Sequence, residues 1–318
     1  MFWKEAPKPM IVLAPMDGYT DQAFRLLVRH IEPRSIVFTE FLSADGICYG
    51  ARPILQALEL RPEESPIVVQ MFGKDPDIFA KAALYVEAKG ATAIDVNMGC
   101  PAKKVVNSMH GSALMREVDL ACRIIEKMKQ TVKVPISVKT RLGWEDDSKL
   151  ISFVQRLVDA GLDHVSIHGR TYNQAFRGEA VWDAIYELKK AVPITVVGNG
   201  DVVDGASARA KLGNLDGVMV GRATFGNPWI MKEVAHALLD NKEWRSATLT
   251  FAEKIPTIRT HMELLWNTKG KRGMLEARKH LAAYVKGVHG ASTYRSQLVT
   301  VEHPDEVYRI LDEIMKAQ

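Results

Sequence analysis

The stretch Thr92-Ala93-Ile94-Asp95-Val96 is a short apolar run that leads directly into Asn97-Met98-Gly99-Cys100-Pro101-Ala102-Lys103-Lys104. The run predicts a buried strand, and the glycine and proline after it predict a loop. In many α/β enzymes the reactive groups lie just past the carboxyl end of a strand. Cys100 is therefore a candidate catalytic residue. The alternative is a structural cysteine, because a free cysteine often packs as a small hydrophobic side chain.

Seven further short runs rich in Val and Ile are Ile11 to Ala14, Ser35 to Thr39, Ile67 to Met71, Ile136 to Lys139, His164 to His168, Ile194 to Val197 and Gly217 to Val220. The amphipathic segments between them are Asp21 to His30, Asp77 to Lys89, Val118 to Gln130, Ser148 to Ala160, Trp182 to Lys190 and Gly205 to Lys211. Such alternation is typical of parallel βα units. Eight units over this length predict a (β/α)8 TIM barrel rather than an open doubly wound sheet.

Polar or glycine-rich segments directly follow the predicted strands. They are Pro15-Met16-Asp17-Gly18, Glu40, Phe72-Gly73, Asn97 to Cys100, Arg141 with Gly143, Gly169-Arg170, Gly198-Asn199-Gly200-Asp201 and Gly221-Arg222. A barrel gathers the carboxyl ends of its strands on one face, so we expect these segments to form one site.

After Leu239 the strand pattern stops, and we predict a helical domain over residues 241–318 behind a catalytic barrel over residues 1–240. Its predicted helices are Phe251 to Trp266, Met274 to Gly287 and Pro304 to Lys316. Between Lys269 and Arg295 there are seven Lys and Arg residues and one acidic residue, a local charge of seven minus one, or +6. Such a cluster indicates nucleic-acid binding, and the alternative is a solvated helix face.

The composition excludes several classes of protein. Three cysteines without metal-ligand spacing predict reduced thiols in a cytoplasmic protein and no metal site. The N-terminus lacks an apolar signal region, and no run approaches the roughly 20 apolar residues that span a bilayer. We expect a monomer that does not associate with membranes.

The glycine loops after strands seven and eight lie where barrels bind phosphate through backbone amides. Arg222 adds a planar cation there. No dinucleotide-binding glycine fingerprint is present, which favours flavin mononucleotide (FMN) as the cofactor. Gln70, Lys139 and His168 would meet the polar edge of the flavin ring. The alternatives are a structural ion pair for Lys139 and a core position for His168.

These segments, together with Pro15 to Asp21, Lys104-Val105, Ser137 to Gly143 and His168 to Thr171, resemble the bacterial tRNA-dihydrouridine synthases. The resemblance runs from about residue 11 to 240. It implies an FMN barrel that reduces uridines of tRNA, with NADPH as the reductant. The cofactor-binding residues are then Pro15, Met16, Asp17, Gln70, Lys139, His168, Asn199, Gly200, Asp201, Gly221 and Arg222. One departure is Val181, where the family often has an acidic residue before the aromatic.

The resemblance makes Cys100 the proton donor to uracil C5, after hydride addition at C6. Asn97 would orient the uracil, and Lys139 would stabilise negative charge near flavin N1 and O2. The residues expected to contact RNA are Arg141, Lys103, Lys104, Lys271, Arg272, Arg278 and Lys279. Possible stacking faces within the basic segment are His280, Tyr284, His289 and Tyr294.

Two rival functions remain open at this point. An FMN barrel that acts on a free pyrimidine, such as dihydroorotate dehydrogenase, would explain the cofactor face but gives the basic tail no role. An RNA-binding or chaperone protein built on a degenerate barrel would bind no flavin.

Overall fold

The computed structural model describes residues 2–102, 106 and 108–317. Eight parallel strands close into a barrel, in which the first strand pairs with the second and with the last. The strands are β1 (Met10–Leu13), β2 (Ile36–Phe38), β3 (Ile67–Phe72), β4 (Ala93–Met98), β5 (Ile136–Arg141), β6 (His164–His168), β7 (Thr195–Asn199) and β8 (Gly217–Val220). An additional two-residue strand, Leu42–Ser43, pairs with the end of β3.

The predicted TIM barrel is confirmed, and each predicted strand matches an observed one to within two residues. Side chains alternate between two cores along the strands, as a pleated backbone requires. In β4, Ile94, Val96 and Met98 pack outward against the helices, whereas Ala93 belongs to the core inside the barrel. Polar residues on the inward face therefore reach the barrel interior and its open end.

The helices of the barrel portion are α1 (Phe2–Glu5), α2 (Gln22–Ile31), α3 (Ala44–Cys48), α4 (Arg52–Ala57), α5 (Pro76–Ala88), α6 (Val118–Thr131), α7 (Leu150–Asp159), α8 (Asp183–Ala191), α9 (Gly205–Leu212) and α10 (Ile230–Leu238). Short 3-10 turns are Pro62–Glu64, Gly111–Arg116, Arg222–Thr224 and Ser246–Thr248. The N-terminal helix α1 places Trp3 against His164 inside the barrel, with ring centroids 3.9 Å apart. Trp3 is buried and contributes to the core inside the barrel.

The remaining helices are α11 (Phe251–Lys269), α12 (Lys271–Tyr284), α13 (Ala291–Leu298) and α14 (Pro304–Ala317). They share a second hydrophobic core, to which the barrel portion contributes Ala23 and Trp229. Lys269 also contacts Asp21, whose side chain caps the N-terminus of α2. These contacts join the tail to the β1 side of the barrel, and the predicted division at residue 241 stays a prediction. No described helix is long and apolar enough to cross a membrane.

Candidate active site

A cavity of about 590 Å³ opens at the carboxyl end of the barrel, and each of the eight strands or the loop after it contributes to the wall. The structure brings together on this wall Pro15, Met16, Asp17, Gln70, Asn97, Cys100, Lys139, Arg141, His168, Asn199, Gly200, Asp201, Gly221 and Arg222. These are the predicted cofactor contacts, the predicted proton donor and two of the predicted substrate contacts. A cavity of this size is typical of a site for a cofactor or another small molecule.

The loop that carries Cys100 is held by side chains from the barrel. Asn97 Oδ1 accepts hydrogen bonds from the amides of Gly99 (3.1 Å) and Cys100 (3.0 Å), and Arg141 Nε donates to Gly99 O (2.8 Å). Burial raises the pKa of the Cys100 thiol, and the backbone of Ala102 and the charge of Arg141 lower it by less. The thiol is therefore protonated at neutral pH, and only this form can donate a proton.

The half-buried Lys139 and the buried His168 bring polar groups to the cavity. Lys139 forms no ion pair with any carboxylate of the described residues, and burial lowers its pKa to about 8. The buried Nδ1 of His168 lacks a hydrogen-bond partner in the same part of the chain. Burial also lowers the pKa of His168 to about 2, helped by the charges of Lys139 and Arg141, so the ring is neutral. An unpaired buried polar group is costly, so His168 fits a polar ligand, and the positive charge of Lys139 beside it fits a ligand with negative charge or acceptor atoms.

The loops after β7 and β8 form the opposite side of the wall. Gly200 has φ +126°, and a Cβ there would lie 2.7 Å from Ala180 Cβ, so this position requires glycine. Both carboxylate oxygens of Asp201 accept hydrogen bonds from Arg170 Nη2, at 2.9 and 2.7 Å. Arg222 lies 3.8 Å from Asp201 and is 54% exposed. Arg222 is thus available to an anionic ligand, whereas Asp201 is committed to Arg170.

Aromatic side chains that the sequence interpretation did not single out complete the wall: Tyr19, Phe41, Phe176 and Phe225. Tyr19 stacks on Phe225 with ring centroids 3.8 Å apart. Phe176 is 54% exposed, and the guanidinium groups of Arg141 and Arg222 lie 5.5 and 5.0 Å from its ring. Of these four residues, only Tyr19 could have been identified from the sequence, because it lies in the segment that follows the first predicted strand. The cavity can therefore accommodate a planar ring.

Asp95 is a further residue that sequence reasoning missed. Its fully buried carboxylate accepts hydrogen bonds from Gln70 Nε2 (2.7 Å) and Ser137 Oγ (2.6 Å). Burial raises its pKa to about 6, although both hydrogen bonds lower it. The signal was present in the sequence, since Asp95 is two positions before Asn97 in a strand and shares its face.

The basic tail residues have different surroundings. Lys279 Nζ lies 4.8 Å from the ring centre of Tyr19, at the rim of the cavity. Lys271 and Arg272 form ion pairs with tail carboxylates, and Arg278 donates to backbone carbonyls after α13. The predicted contacts Lys103 and Lys104 lie outside the described residues.

Two of the stacking faces expected in the basic segment are not available, so the expectation was wrong for His280 and Tyr284. They are 2% and 3% exposed, and they contact the barrel portion at Phe24 of α2 and at Trp229, respectively. The ring of His280 stacks on Phe24 with centroids 5.3 Å apart, and the Tyr284 hydroxyl lies 3.0 Å from His261 Nδ1. The helical period of α12 turns this face toward the core and leaves Lys279 at the cavity rim.

A second cavity, of about 580 Å³, lies beside the loop after β5. Trp144 borders it and stacks on Tyr172 with centroids 3.9 Å apart, and the guanidinium of Arg116 lies 4.9 Å from the Trp144 ring. Arg141 borders both cavities. The sequence interpretation assigned no role to this surface.

Comparison with known proteins gives a consistent result over nearly the whole chain. The family model described as dihydrouridine synthase matches residues 12–318. The probable tRNA-dihydrouridine synthase 1 of Synechocystis is 39% identical over 306 residues, which are 95% of this chain and 85% of the relative. The tRNA-dihydrouridine synthase B of Xanthomonas axonopodis pv. citri is 38% identical over 301 residues, or 93% and 90% of the two chains.

Among solved structures, a histamine dehydrogenase from Rhizobium sp. 4-9 superposes with a TM-score of 0.53 at 14% sequence identity. The match covers 80% of this chain and 48% of the other. At this identity the likeness concerns the fold alone, and it agrees with the barrel described above.

Proposed function

The chain belongs to the dihydrouridine synthase family, and on that basis we propose that it reduces selected uridines of tRNA to 5,6-dihydrouridine, with bound FMN as the cofactor and NADPH as the reductant. The observation that carries this proposal is the combination, on one cavity wall, of a protonated Cys100 thiol, the Lys139 ammonium group and the unpaired Nδ1 of His168.

The residues on the wall fit FMN. Lys139 would meet the polar edge of the flavin ring near N1 and O2, and His168 would offer its neutral imidazole beside it. Arg222 and the loop at Gly200 would hold the phosphate, since a guanidinium and backbone amides are suited to an anion. Asp201 would act through Arg170, which it holds by two hydrogen bonds. The predicted contacts of Pro15, Met16 and Gly221 would be with the remaining edges of the cofactor.

When bound, FMN supplies a hydride in its reduced form, and the C4 carbonyl of uracil makes C6 the electrophilic carbon that accepts it. The protein must then deliver one proton to C5, so that the C5=C6 double bond gains two hydrogens. Cys100 would donate this proton, because burial keeps its thiol protonated. Asn97 would present a side-chain N–H to a uracil carbonyl, and Arg141 keeps the cysteine loop in place through Gly99 O.

A uridine that is stacked within a folded RNA cannot enter the cavity, so the base must be flipped out of its stack. Lys279 lies beside Tyr19 at the cavity rim, where its ammonium group could contact a phosphate next to the flipped base. The stacked rings of Tyr19 and Phe225 would provide an apolar surface along the path of the base.

The test combines a spectrum with an activity assay. We expect the purified protein to display flavin absorption and, with NADPH, to form dihydrouridine in tRNA that lacks this modification. Free uridine serves as the control substrate, because an enzyme for free pyrimidines would reduce it and this protein should not. A protein that binds no flavin, or that reduces free uridine as fast as tRNA, would contradict the proposal.

A further inference from the structure

We infer that Asp95 is a positioning residue, which fixes the orientation of the Gln70 and Asn97 amides and through them holds the loop of Cys100. This inference concerns the site of the proposed function, and its use in catalysis rests on that function. It begins from a chain of hydrogen bonds that runs from the barrel interior to the cysteine loop.

The chain has four links, all made by side chains or loop amides. Gln70 Nε2 donates to Asp95 Oδ2 (2.7 Å), and Asn97 Nδ2 donates to Gln70 Oε1 (2.8 Å). Asn97 Oδ1 then accepts from the amides of Gly99 (3.1 Å) and Cys100 (3.0 Å). Asp95 and Gln70 are fully buried and Asn97 is 6% exposed, so water does not compete for these bonds.

The groups at the two ends of this hydrogen-bond chain determine which side chain donates and which accepts at each link. An ionised carboxylate only accepts hydrogen bonds, so Gln70 must turn its nitrogen toward Asp95. Backbone amides only donate, so Asn97 must turn its oxygen toward Gly99 and Cys100. Each condition alone requires that Asn97 donates to Gln70, and the two agree. Without Asp95, the Gln70 nitrogen would lose its acceptor, and the Gln70 side chain would be held within this chain by Asn97 alone.

This direction also determines what the wall offers to a ligand. An amide nitrogen carries two hydrogens, and one hydrogen on Gln70 and one on Asn97 are used within the chain. Each side chain therefore keeps one N–H donor. Donors at this place suit carbonyl oxygens, which both the uracil ring and the flavin ring carry. A rotated Gln70 amide would present an oxygen instead and would repel such an acceptor.

The decisive variants separate orientation from charge. Asp95→Leu keeps the branched shape, although it is larger, and removes the acceptor, so the Gln70 nitrogen loses its hydrogen-bond partner. Asp95→Asn loses the charge but keeps an oxygen that can accept from Gln70, while its nitrogen faces the Ser137 hydroxyl. The control Ser137→Ala removes the other hydrogen bond of Asp95 and leaves the chain unbroken. A second control, Ser166→Ala, removes an equally buried hydroxyl that lies 3.0 Å from His164 Nε2 in the barrel interior.

The first measurement is the alkylation rate of Cys100 by iodoacetamide in the purified full-length protein, followed by the mass of the Cys100 peptide. In Asp95→Leu the loop should loosen, and the smaller burial of Cys100 should lower the pKa of its thiol. We expect the alkylation rate to rise about tenfold for each unit by which this pKa falls. Asp95→Asn and both controls should stay within about twofold of wild type. If Asp95→Leu does not fold, Asp95→Ser replaces it, because its short hydroxyl does not reach Gln70.

The second measurement is the reoxidation of reduced flavin by tRNA in a single turnover. Asp95→Leu should slow it by about 100-fold, as expected when a reacting group is displaced by about 1 Å, and Asp95→Asn should restore it. Equal alkylation rates in Asp95→Leu and wild type would overturn the inference. So would an Asp95→Asn protein that behaves like Asp95→Leu, because the charge would then be what matters. If alkylation follows the expected order but no variant, wild type included, reduces tRNA, the positioning role stands and the proposed function fails.

Discussion

The surroundings of Cys100 meet two requirements of a thiol that acts as an acid. Its backbone is held by Asn97, so the sulfur has a defined position, and burial raises its pKa, so the proton stays on it. Nucleophilic cysteines require the opposite electrostatics, because a thiolate forms when positive charge lowers the pKa. The surroundings of Cys100 therefore favour an acid over a nucleophile.

Replacement of Cys100 tests this role directly. Cys100→Ala should retain FMN, accept hydride from NADPH at the wild-type rate and still bind tRNA, because none of those steps uses the thiol. Reoxidation of the reduced flavin by tRNA should slow by roughly 100- to 10,000-fold, the usual effect of losing a general acid. Cys100→Ser should recover little, since a hydroxyl is a much weaker acid. Rapid mixing of the reduced variant with tRNA measures this reoxidation separately from the other steps. A wild-type rate would mean that Cys100 has a structural role and does not donate the proton.

The Lys139 ammonium group should make FMN binding depend on pH. Its pKa is lowered to about 8 by burial, so the protein without cofactor carries this charge below about pH 8 and loses it as the pH rises through that value. The affinity for FMN should therefore change little from pH 7 to 7.5, where the FMN phosphate is already almost fully ionised, and fall above pH 8. Titration of the protein with FMN, followed by flavin fluorescence, measures this. In Lys139→Met the FMN affinity should be lower below pH 8, and its decrease above pH 8 should be absent. If the decrease persists in this variant, another group causes it.

At the scale of elements, the sequence was a good guide where periodicity determines structure. The strands were predicted to within two residues because each is a short run of buried, mainly apolar residues. Most helices were predicted to within a few residues because their buried and exposed side chains alternate with the helical period. Helix α13 was missed because its residues, Ala291–Leu298, are mostly polar and only Leu298 is buried. The surroundings of the basic residues were also beyond prediction, since ion pairs such as the one between Lys269 and Asp21 join positions far apart in the chain.

Helix α12 makes a specific prediction about RNA binding. Lys279→Ala should weaken tRNA binding and reduce the salt dependence of log K by roughly 0.7 to 0.9, the effect of one lost phosphate contact. The matched control is Lys271→Ala on the same helix, whose ammonium group is already paired with Glu302 and should contribute less. Filter binding at several salt concentrations gives both slopes, and NADPH oxidation by the bound flavin should not change. Equal slopes in the two variants would mean that Lys279 does not contact RNA.

The joint replacement of Lys271, Arg272, Arg278 and Lys279 by alanine should lower the salt slope little more than Lys279→Ala alone. Arg278 holds the carbonyls of Thr300 and Val301, so its loss should lower the stability of the tail instead. Thermal unfolding of Arg278→Ala, beside its tRNA affinity, separates the two effects. If the salt slope of the quadruple variant is much smaller than that of Lys279→Ala, the residues that form ion pairs in the free protein also contact phosphates.

At the scale of the whole molecule, the tail and the barrel are joined through buried groups that can ionise. Burial lowers the pKa of His261 to about 4, and that of His280 falls well below its usual value. Asp21 opposes this shift, whereas Lys269 and Lys279 add to it. The folded interface therefore favours neutral histidines, because burial makes their protonated form unfavourable.

This arrangement predicts how stability depends on pH. The unfolded chain binds a proton at His261 below about pH 6.5, whereas the folded protein does so only below about pH 4, so stability is lost as the pH falls between these values. The group should add about 1.4 kcal/mol per pH unit to the slope of the unfolding free energy. His261→Gln should remove this share, although it also loses the contact with Tyr284. The control His289→Gln replaces a tail histidine that is exposed in the folded chain, so it should keep the wild-type slope. Urea unfolding from pH 7 to 4.5 measures all three proteins, and an unchanged slope in His261→Gln would mean that the interface accepts a charged histidine.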